Sequence, residues 1–278
     1  MTPSGSTSRP LSIRFAALRR ADLRFAGRLA AAGVAFAVAA VPAVVLVVLI
    51  EAHWGPLQTV DQQTALRLHA VVRDRPGLLA TVRLLSDRVW DPLTFRLLVA
   101  VVVAGLLARR AWRLALWAAA TETAAGLIGL LLKMSVARVR PRLPDPVATA
   151  PGYSFPSGHA MTAAASCAIL LLVLLPSVPQ RLRPAAWAAA AVSVGGVGIT
   201  RIALGVHWVS DVLGGWLLGS ALVAATAWAF EAWRGDVGRP VTRVTEGLEP
   251  ELGAPGGRAP EPPLPGRRPS SSSGGGPG

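Results

Sequence analysis

Charge is scarce in this chain. Only 15% of its 278 residues are Asp, Glu, Lys or Arg, against about 25% in a typical soluble domain. With 52% of residues apolar and a mean hydropathy of +0.48, the composition argues against an ordinary soluble enzyme and excludes a chain made mostly of disorder. Cysteine is almost absent. Cys167 alone rules out a disulfide framework and any cysteine-based metal cluster, and its apolar neighbours make it a small packing residue. Lysine is nearly missing as well: of 28 basic residues, all but Lys133 are arginine. That exception singles out Lys133 as a candidate for chemistry.

What the chain does contain is apolar blocks of bilayer-spanning length. Six spans are expected, over about 29–50, 93–108, 112–132, 156–175, 185–200 and 206–230. The first run is too long for the core of a cleaved signal, which is about 7–15 residues, and reads as a membrane helix that also targets the chain. Residues 51–92 are polar and mixed in charge. Leu66, Val72, Leu78, Leu79, Val82, Leu85 and Val89 recur there at roughly helical spacing, which predicts one or two amphipathic helices on the membrane surface or over the bundle. From Gly235 onward 24 of 44 residues are Gly, Pro or Ser, too few apolar groups to drive folding. The expected fold class is therefore all-α: a polytopic six-helix membrane bundle over 29–233, with a basic N-terminal segment over 1–28 and a disordered cytoplasmic tail over 234–278.

The net charge of +13 does not form one basic domain, so no nucleic-acid partner is expected. The arginines follow the positive-inside rule instead. Six lie in residues 1–28, then Arg109, Arg110 and Arg113, then Arg181 and Arg183, then Arg234, Arg239 and Arg243, all on one face of a six-span layout. That face is expected to be cytoplasmic, with both termini on it, in a multi-pass protein of the cell membrane. Arg138, Arg140, Arg142 and Arg201 fall on the opposite, outer face and break the rule, so they need a reason other than topology.

Three segments converge on that outer face by topology alone. They are 133–141 at the end of span three, 156–159 at the start of span four, and 200–211 between spans five and six. Their chemistry suits a phosphate. Lys133, Arg140 and Arg201 supply three cations, the arginines with a planar fork that matches phosphoryl oxygens. Ser157 and Gly158 open a helix after Pro156, where free N–H groups and the helix dipole attract an anion. His207 and Asp211 are four apart and hence on one helix face, so a carboxylate can fix the imidazole tautomer and leave the other nitrogen as nucleophile. His159, on a different helix, can act as general acid on the leaving-group side. Singly, each has an ordinary explanation as a snorkelling anchor, an interfacial histidine or a helix cap. Jointly they do not, because ionisable groups at membrane depth are costly and two of only four histidines sit here.

These residues resemble the PAP2 superfamily (type 2 phosphatidic acid phosphatases), which shares its site with vanadium haloperoxidases. The resemblance rests on Lys133, Arg140 and Pro141; on Pro156, Ser157, Gly158 and His159; and on Thr200, Arg201, His207 and Asp211. Thr200 stands where the family usually has Ser, which keeps the hydroxyl. The resemblance implies a metal-independent, cofactor-free phosphatase working through a phosphohistidine. His207 would be the nucleophile, Asp211 its partner and His159 the acid and then the base. Lys133, Arg140, Arg201, Ser157 and the Gly158 backbone would hold the phosphoryl oxygens. The expected partners are the bilayer and a membrane lipid phosphate: polyprenyl (undecaprenyl-type) diphosphate by preference, with phosphatidylglycerophosphate and phosphatidic acid as alternatives. A lipid or sugar phosphotransferase, a haloperoxidase and a non-catalytic membrane protein are the competing classes.

Overall fold

The computed structural model describes residues 30–236 and 246–249. The expectations for 1–29 and for most of the tail lie outside the described residues. Among the described residues the fold is all-helical. Five helical stretches are long and apolar enough to cross a membrane, or six when one bent pair counts as a single span.

That pair replaces the straight first span expected over 29–50. Helices α1 (Ala30–Ala39) and α2 (Val41–Glu51) meet at 50°. Pro42, in the first turn of α2, has no N–H to donate and its ring crowds the carbonyl four residues back, which bends the run. The polar segment that follows forms α3 (Gly55–Arg73), α4 (Pro76–Leu84) and a π-helical turn, Leu85–Val89. The apolar spacing in 51–92 foretold helices and part of their inner face: Val72 and Val82 are buried. Leu66, Leu78 and Val89 are exposed, whereas Asp61, Ala65, His69 and Val72 form the buried stripe of α3. Two of these four are polar, so the stripe is invisible to a count of apolar residues.

The bundle proper consists of α5 (Pro92–Ala108), α6 (Trp112–Val136), α7 (Gly158–Leu174), α8 (Arg183–Ala203) and α9 (Val209–Asp236). Asp91 caps α5 by accepting the Leu93 N–H at 2.7 Å, and Pro92 fills its first position. Helix α7 is buried on nearly every face and packs against α5, α6, α8 and α9, so it is the central post. It starts two residues later than expected: Ser157 is its cap, and Pro156, joined to Phe155 by a cis peptide bond, lies before it. Helix α8 extends through Arg201, and α9 begins only at Val209 because Gly205, at φ +71°, turns the chain between them. Cys167 is buried in α7, as its apolar run implied.

Glycine packing differs from the pairing of α8 with α9 that the small-residue spacing suggests. Gly215 and Gly219 of α9 press against α7. A Cβ at Gly215 would lie 2.7 Å from the Ser157 carbonyl oxygen, and one at Gly219 would lie 2.7 Å from that of Met161. Gly198 of α8 does meet α9, at Val212 and Trp216, but Gly195 faces open space. The face of α6 carrying Glu122, Gly126 and Gly129 meets other helices. Ser166 of α7 donates to Glu122 at 2.9 Å, and Arg96 of α5 lies 3.8 Å from the same carboxylate.

Part of the tail read as disordered is packed. Helix α9 continues to Asp236, and residues 246–249 return to the bundle end, where the Leu248 N–H donates to the Leu172 carbonyl at 2.7 Å. Leu248 is buried in the main core, and Glu249 lies 3.4 Å from the buried Arg234. A lone leucine in a Gly/Pro/Ser-rich stretch has no periodicity to reveal this.

Two outcomes follow. Gly215→Ala gains about 1 kcal/mol of helix propensity but forces two backbones apart, at about 1–3 kcal/mol, so it lowers the thermal midpoint in detergent while Gly195→Ala does not. Equal midpoints for the two variants refute the close contact. Glu122→Gln keeps an acceptor for Ser166 and retains folding and turnover, whereas Glu122→Leu strands that hydroxyl and loses folded protein. Loss of turnover in a well-folded Glu122→Gln assigns Glu122 to chemistry instead.

Candidate active site

The site is assembled where α6, α7, α8 and α9 end on one side of the bundle. Lys133 lies in the last turn of α6. Ala137, in the left-handed region at φ 47°, ends that helix and sends the chain into an irregular segment over 138–157. Ser154 ties this segment into a loop, its N–H donating to the Arg138 carbonyl at 2.8 Å. The Lys133 ammonium reaches across to the Tyr153 carbonyl at 2.9 Å. Arg140 spreads its fork over three carbonyls, those of Gly152 at 2.9 Å, Pro151 at 3.0 Å and Val206 at 2.7 Å. The same Arg140 Nη1 lies 3.2 Å from His207 Nε2.

The second segment meets the third through the backbone: the Ser157 N–H donates to the Asp211 carbonyl at 2.9 Å. Ser157 is fully buried, and its Oγ accepts the Ala160 N–H at 3.4 Å as the cap of α7. The N–H groups of Gly158 and His159 thus open toward the helix N-terminus. The Lys133 stem lies beside Gly158, 3.8 Å from where a Cβ would stand. His159 is partly exposed, with Nε2 3.9 Å from Asp91. Arg201 is buried in the last turn of α8. It donates to Ser86 at 3.0 Å and lies 3.7 Å from Asp87, so the π-helical turn holds it, while its Nε has no hydrogen-bond partner. Thr200 turns its hydroxyl back to the Val197 carbonyl at 2.9 Å.

His207 and Asp211 do come together, but not on one helix face as the spacing implied. His207 precedes α9, and Asp211 is its third residue. Asp211 Oδ2 reaches back to the Trp208 N–H at 2.8 Å, the return half of a capping box, and lies 3.5 Å from His207 Nδ1. With Arg140 donating toward Nε2, the imidazole proton belongs on Nδ1, facing Asp211; this tautomer is inferred from the donors around it. Nε2 then carries the lone pair and faces the cations. Burial is the main cause that holds the His207 pKa down, to about 4; Asp211 opposes it, and Arg140 and Arg201 add to it. Burial also lowers Arg140, with Asp211 again opposing. A pKa of about 4 leaves the ring neutral at pH 7, with cations on its Nε2 side and Asp211 on its Nδ1 side, which suits attack on an anionic phosphorus centre.

Lys133, Arg140, Arg201 and His207 all lie near enough to His159 to act on it electrostatically. The three segments chosen from the sequence therefore form one cluster. Two supports were missed. Arg138 donates to Asp211 at 2.6 Å and to Ser210 at 2.7 Å, and its second Nη donates to Asp61 at 2.8 Å. In the sequence Arg138 stands out only as a charge on the outer face, and Asp61 is one of several acids in the polar 51–92 segment. A cavity of about 360 Å³ is lined by Asp61, Arg138 and Trp208 but by none of His159, Arg201 and His207, so it borders these supports rather than the cationic cluster.

Residues 110–234 match the PAP2 superfamily. Decaprenylphosphoryl-5-phosphoribose phosphatase of Mycobacterium tuberculosis is 37% identical over 157 residues, which are 54% of this chain and 80% of that protein. The chain belongs to the PAP2 superfamily. It is also similar to phosphatidylglycerophosphatase B of Bacillus subtilis, 39% identical over 98 residues (34% of this chain), and to an undecaprenyl-diphosphatase of Sulfolobus acidocaldarius, 30% identical over 141 residues (48% of this chain). The matches span 48% and 60% of the length of those two relatives. The crystal structure of a transmembrane PAP2-type phosphatidylglycerolphosphate phosphatase from Bacillus subtilis superposes with a TM-score of 0.63 at 26% identity, covering 71% of this chain and 96% of that one. The PAP2 chain described here thus shares the multi-pass helical fold of a membrane phosphatase.

The depressed His207 pKa has a sign that can be checked. Above about 4 the folded ring is neutral, whereas an unfolded ring takes a proton below its ordinary value of 6.5. Over that window the unfolded state binds the extra proton, so stability falls as pH falls. The acid limb of kcat/KM for a lipid phosphate, which reports the free enzyme, lies below pH 6.5 for the same reason. An acid limb at or above that value contradicts a buried neutral His207.

Proposed function

We propose that this chain is an integral-membrane lipid phosphatase that works through a phosphohistidine. The observation that carries this reading is His207, buried and neutral with Nδ1 toward Asp211 and Nε2 toward Arg140. An incoming phosphoryl group displaces the Arg140–Nε2 contact, and its oxygens take the Lys133, Arg140 and Arg201 donors and the open N–H groups of α7. Ser157 adds its hydroxyl or, as the cap of α7, the set of that helix start. Nε2 attacks phosphorus, the P–O bond to the leaving group breaks, and His159 gives that oxygen a proton. His159 then takes a proton from water as it attacks the phosphohistidine, which frees His207 and releases phosphate. The fixed cations neutralise the charge of the transferring group, so the reaction proceeds without a metal ion.

Residues 29–233 form the catalytic unit. By the arginine distribution both termini are cytoplasmic and the site opens on the outer face of the cell membrane, at headgroup depth. The preferred substrate is a polyprenyl-linked diphosphate. Two of the named relatives, the undecaprenyl-diphosphatase and the decaprenylphosphoryl-5-phosphoribose phosphatase, carry a polyprenyl chain in their names, and the second is covered over most of its length. Phosphatidylglycerophosphate, in the names of the Bacillus subtilis relative and its solved counterpart, is the alternative.

The test is phosphate release by purified protein in detergent with excess chelator, on polyprenyl diphosphate, phosphatidylglycerophosphate and phosphatidic acid. Chelator-resistant release is expected, fastest on the polyprenyl diphosphate and abolished by His207→Ala. Release that survives His207→Ala, or that stops with chelator, overturns the mechanism. A faster rate on a glycerolipid reassigns the substrate.

A further inference from the structure

The buried stripe of α3 points at the nucleophile's partner. Asp61 is 1% exposed, and a carboxylate so deep is costly unless fully engaged. Its Oδ1 accepts the Ser210 N–H at 2.9 Å, and its Oδ2 accepts the Ser210 hydroxyl at 2.6 Å and Arg138 at 2.8 Å. Ser210 is the second residue of α9, so Asp61 also lies at the positive end of that helix. Arg138, with 14% of its side chain exposed, bridges Asp61 to Asp211.

We propose that Asp61 is a positioning residue for His207 chemistry, acting on Asp211 through Arg138 and Ser210. The proposal rests on the reading of His207 as nucleophile. Its logic is charge. Asp211 alone against Arg138 is a neutral pair, and a neutral pair stabilises little positive charge on the imidazole. Asp61 shares the guanidinium, so the trio Asp61, Arg138 and Asp211 keeps one net negative charge beside His207. The ring becomes cationic when Nε2 bonds to phosphorus while Nδ1 keeps its proton, and that is the moment at which the net charge of the trio acts. Asp61 also fixes geometry. Holding Arg138 and the start of α9 together leaves Asp211 one rotamer, with Oδ1 on Arg138 and Oδ2 on the Trp208 N–H.

A clip that merely fastens α3 to α9 behaves differently, and charge counting separates the two. Asp61→Asn keeps the shape but takes the trio from one net negative charge to zero. Asp61→Asn combined with Arg138→Gln returns it to one net negative charge, carried by Asp211. The measurement is kcat and KM for phosphate release from the best lipid phosphate, on folded protein, for wild type, His207→Ala, Asp61→Asn, the double variant and Ser210→Ala. Asp61→Asn is expected to lower kcat about tenfold with KM within about twofold, and the double variant to recover much of that loss. A double variant no faster than Asp61→Asn, or Asp61→Asn with wild-type kcat, overturns the proposal. If Asp61→Asn does not fold, Ser210→Ala decides. That variant keeps every charge and removes two hydrogen bonds around Arg138, and an unchanged kcat then overturns the proposal. Wild type that releases phosphate beside an inactive His207→Ala keeps the catalytic reading intact whatever the Asp61 result. Wild type that releases none overturns that reading, and the proposal falls with it.

Discussion

The structure depends on the close approach of α7 to α9. Two helices can bring backbone against backbone only where side chains are missing, and Gly215 and Gly219 supply that gap against Ser157, Met161 and Ala164. The Ser157 N–H reaches the Asp211 carbonyl because of it. One contact therefore sets the distance between an anion-attracting helix start and the histidine beside the other helix. The rest of the bundle braces this pair. Helices α5 and α6 pack on α7 from one side, and α8 brings Arg201 from another.

Around that contact the protein manages an excess of buried charge. Three cations gather around one neutral histidine, and their mutual repulsion is tolerated because each donates to acceptors of its own. The 151–153 stretch and Tyr153 hold Arg140 and Lys133 through carbonyls, and the π-helical turn holds Arg201 through Ser86 and Asp87. These are weak claims, carbonyl dipoles on Lys133 and Arg140 and a hydroxyl with a long ion pair on Arg201, so the donors can be taken over by phosphoryl oxygens. The strong ion pairs lie one layer back, at Arg138 with Asp61 and Asp211. Tight pairing where geometry must not move, and loose pairing where a substrate must bind, is the division that the proposed phosphoryl transfer requires.

The outer helices acquire a purpose in this arrangement. Helix α3 is polar, and the π-helical turn leads into the apolar α5, yet they supply Asp61, Ser86 and Asp87 to the supports of the site. Likeness to a solved membrane phosphatase over 71% of the chain concerns the scaffold. The residues that tune it here come partly from a segment whose composition resembles an ordinary surface loop.

Much was legible in the linear order of residues. Apolar runs of bilayer length declare the spans, because each crossing helix must satisfy its own backbone and present apolar surface over a fixed thickness. Lys133, Arg140, His159, Arg201, His207 and Asp211 were identifiable because charged groups at membrane depth are rare and their spacing is short-range. Helix parity alone brought their segments to one face. The docking of Leu248 was not legible, since it depends on contacts made after the helices assemble, whereas the bend at Pro42 and the turn at Gly205 have local causes that a count of apolar residues passes over. Asp61 and Arg138 mark the same boundary most clearly. An acid in a polar helix and an arginine after a helix end are ordinary in sequence, and only packing α3 on α9 removes the water between them. Sequence thus determined where helices form and which ionisable groups gather at one end of them. Tertiary structure alone decided which charges are buried together, because burial is a property of the assembled surfaces and not of any one segment.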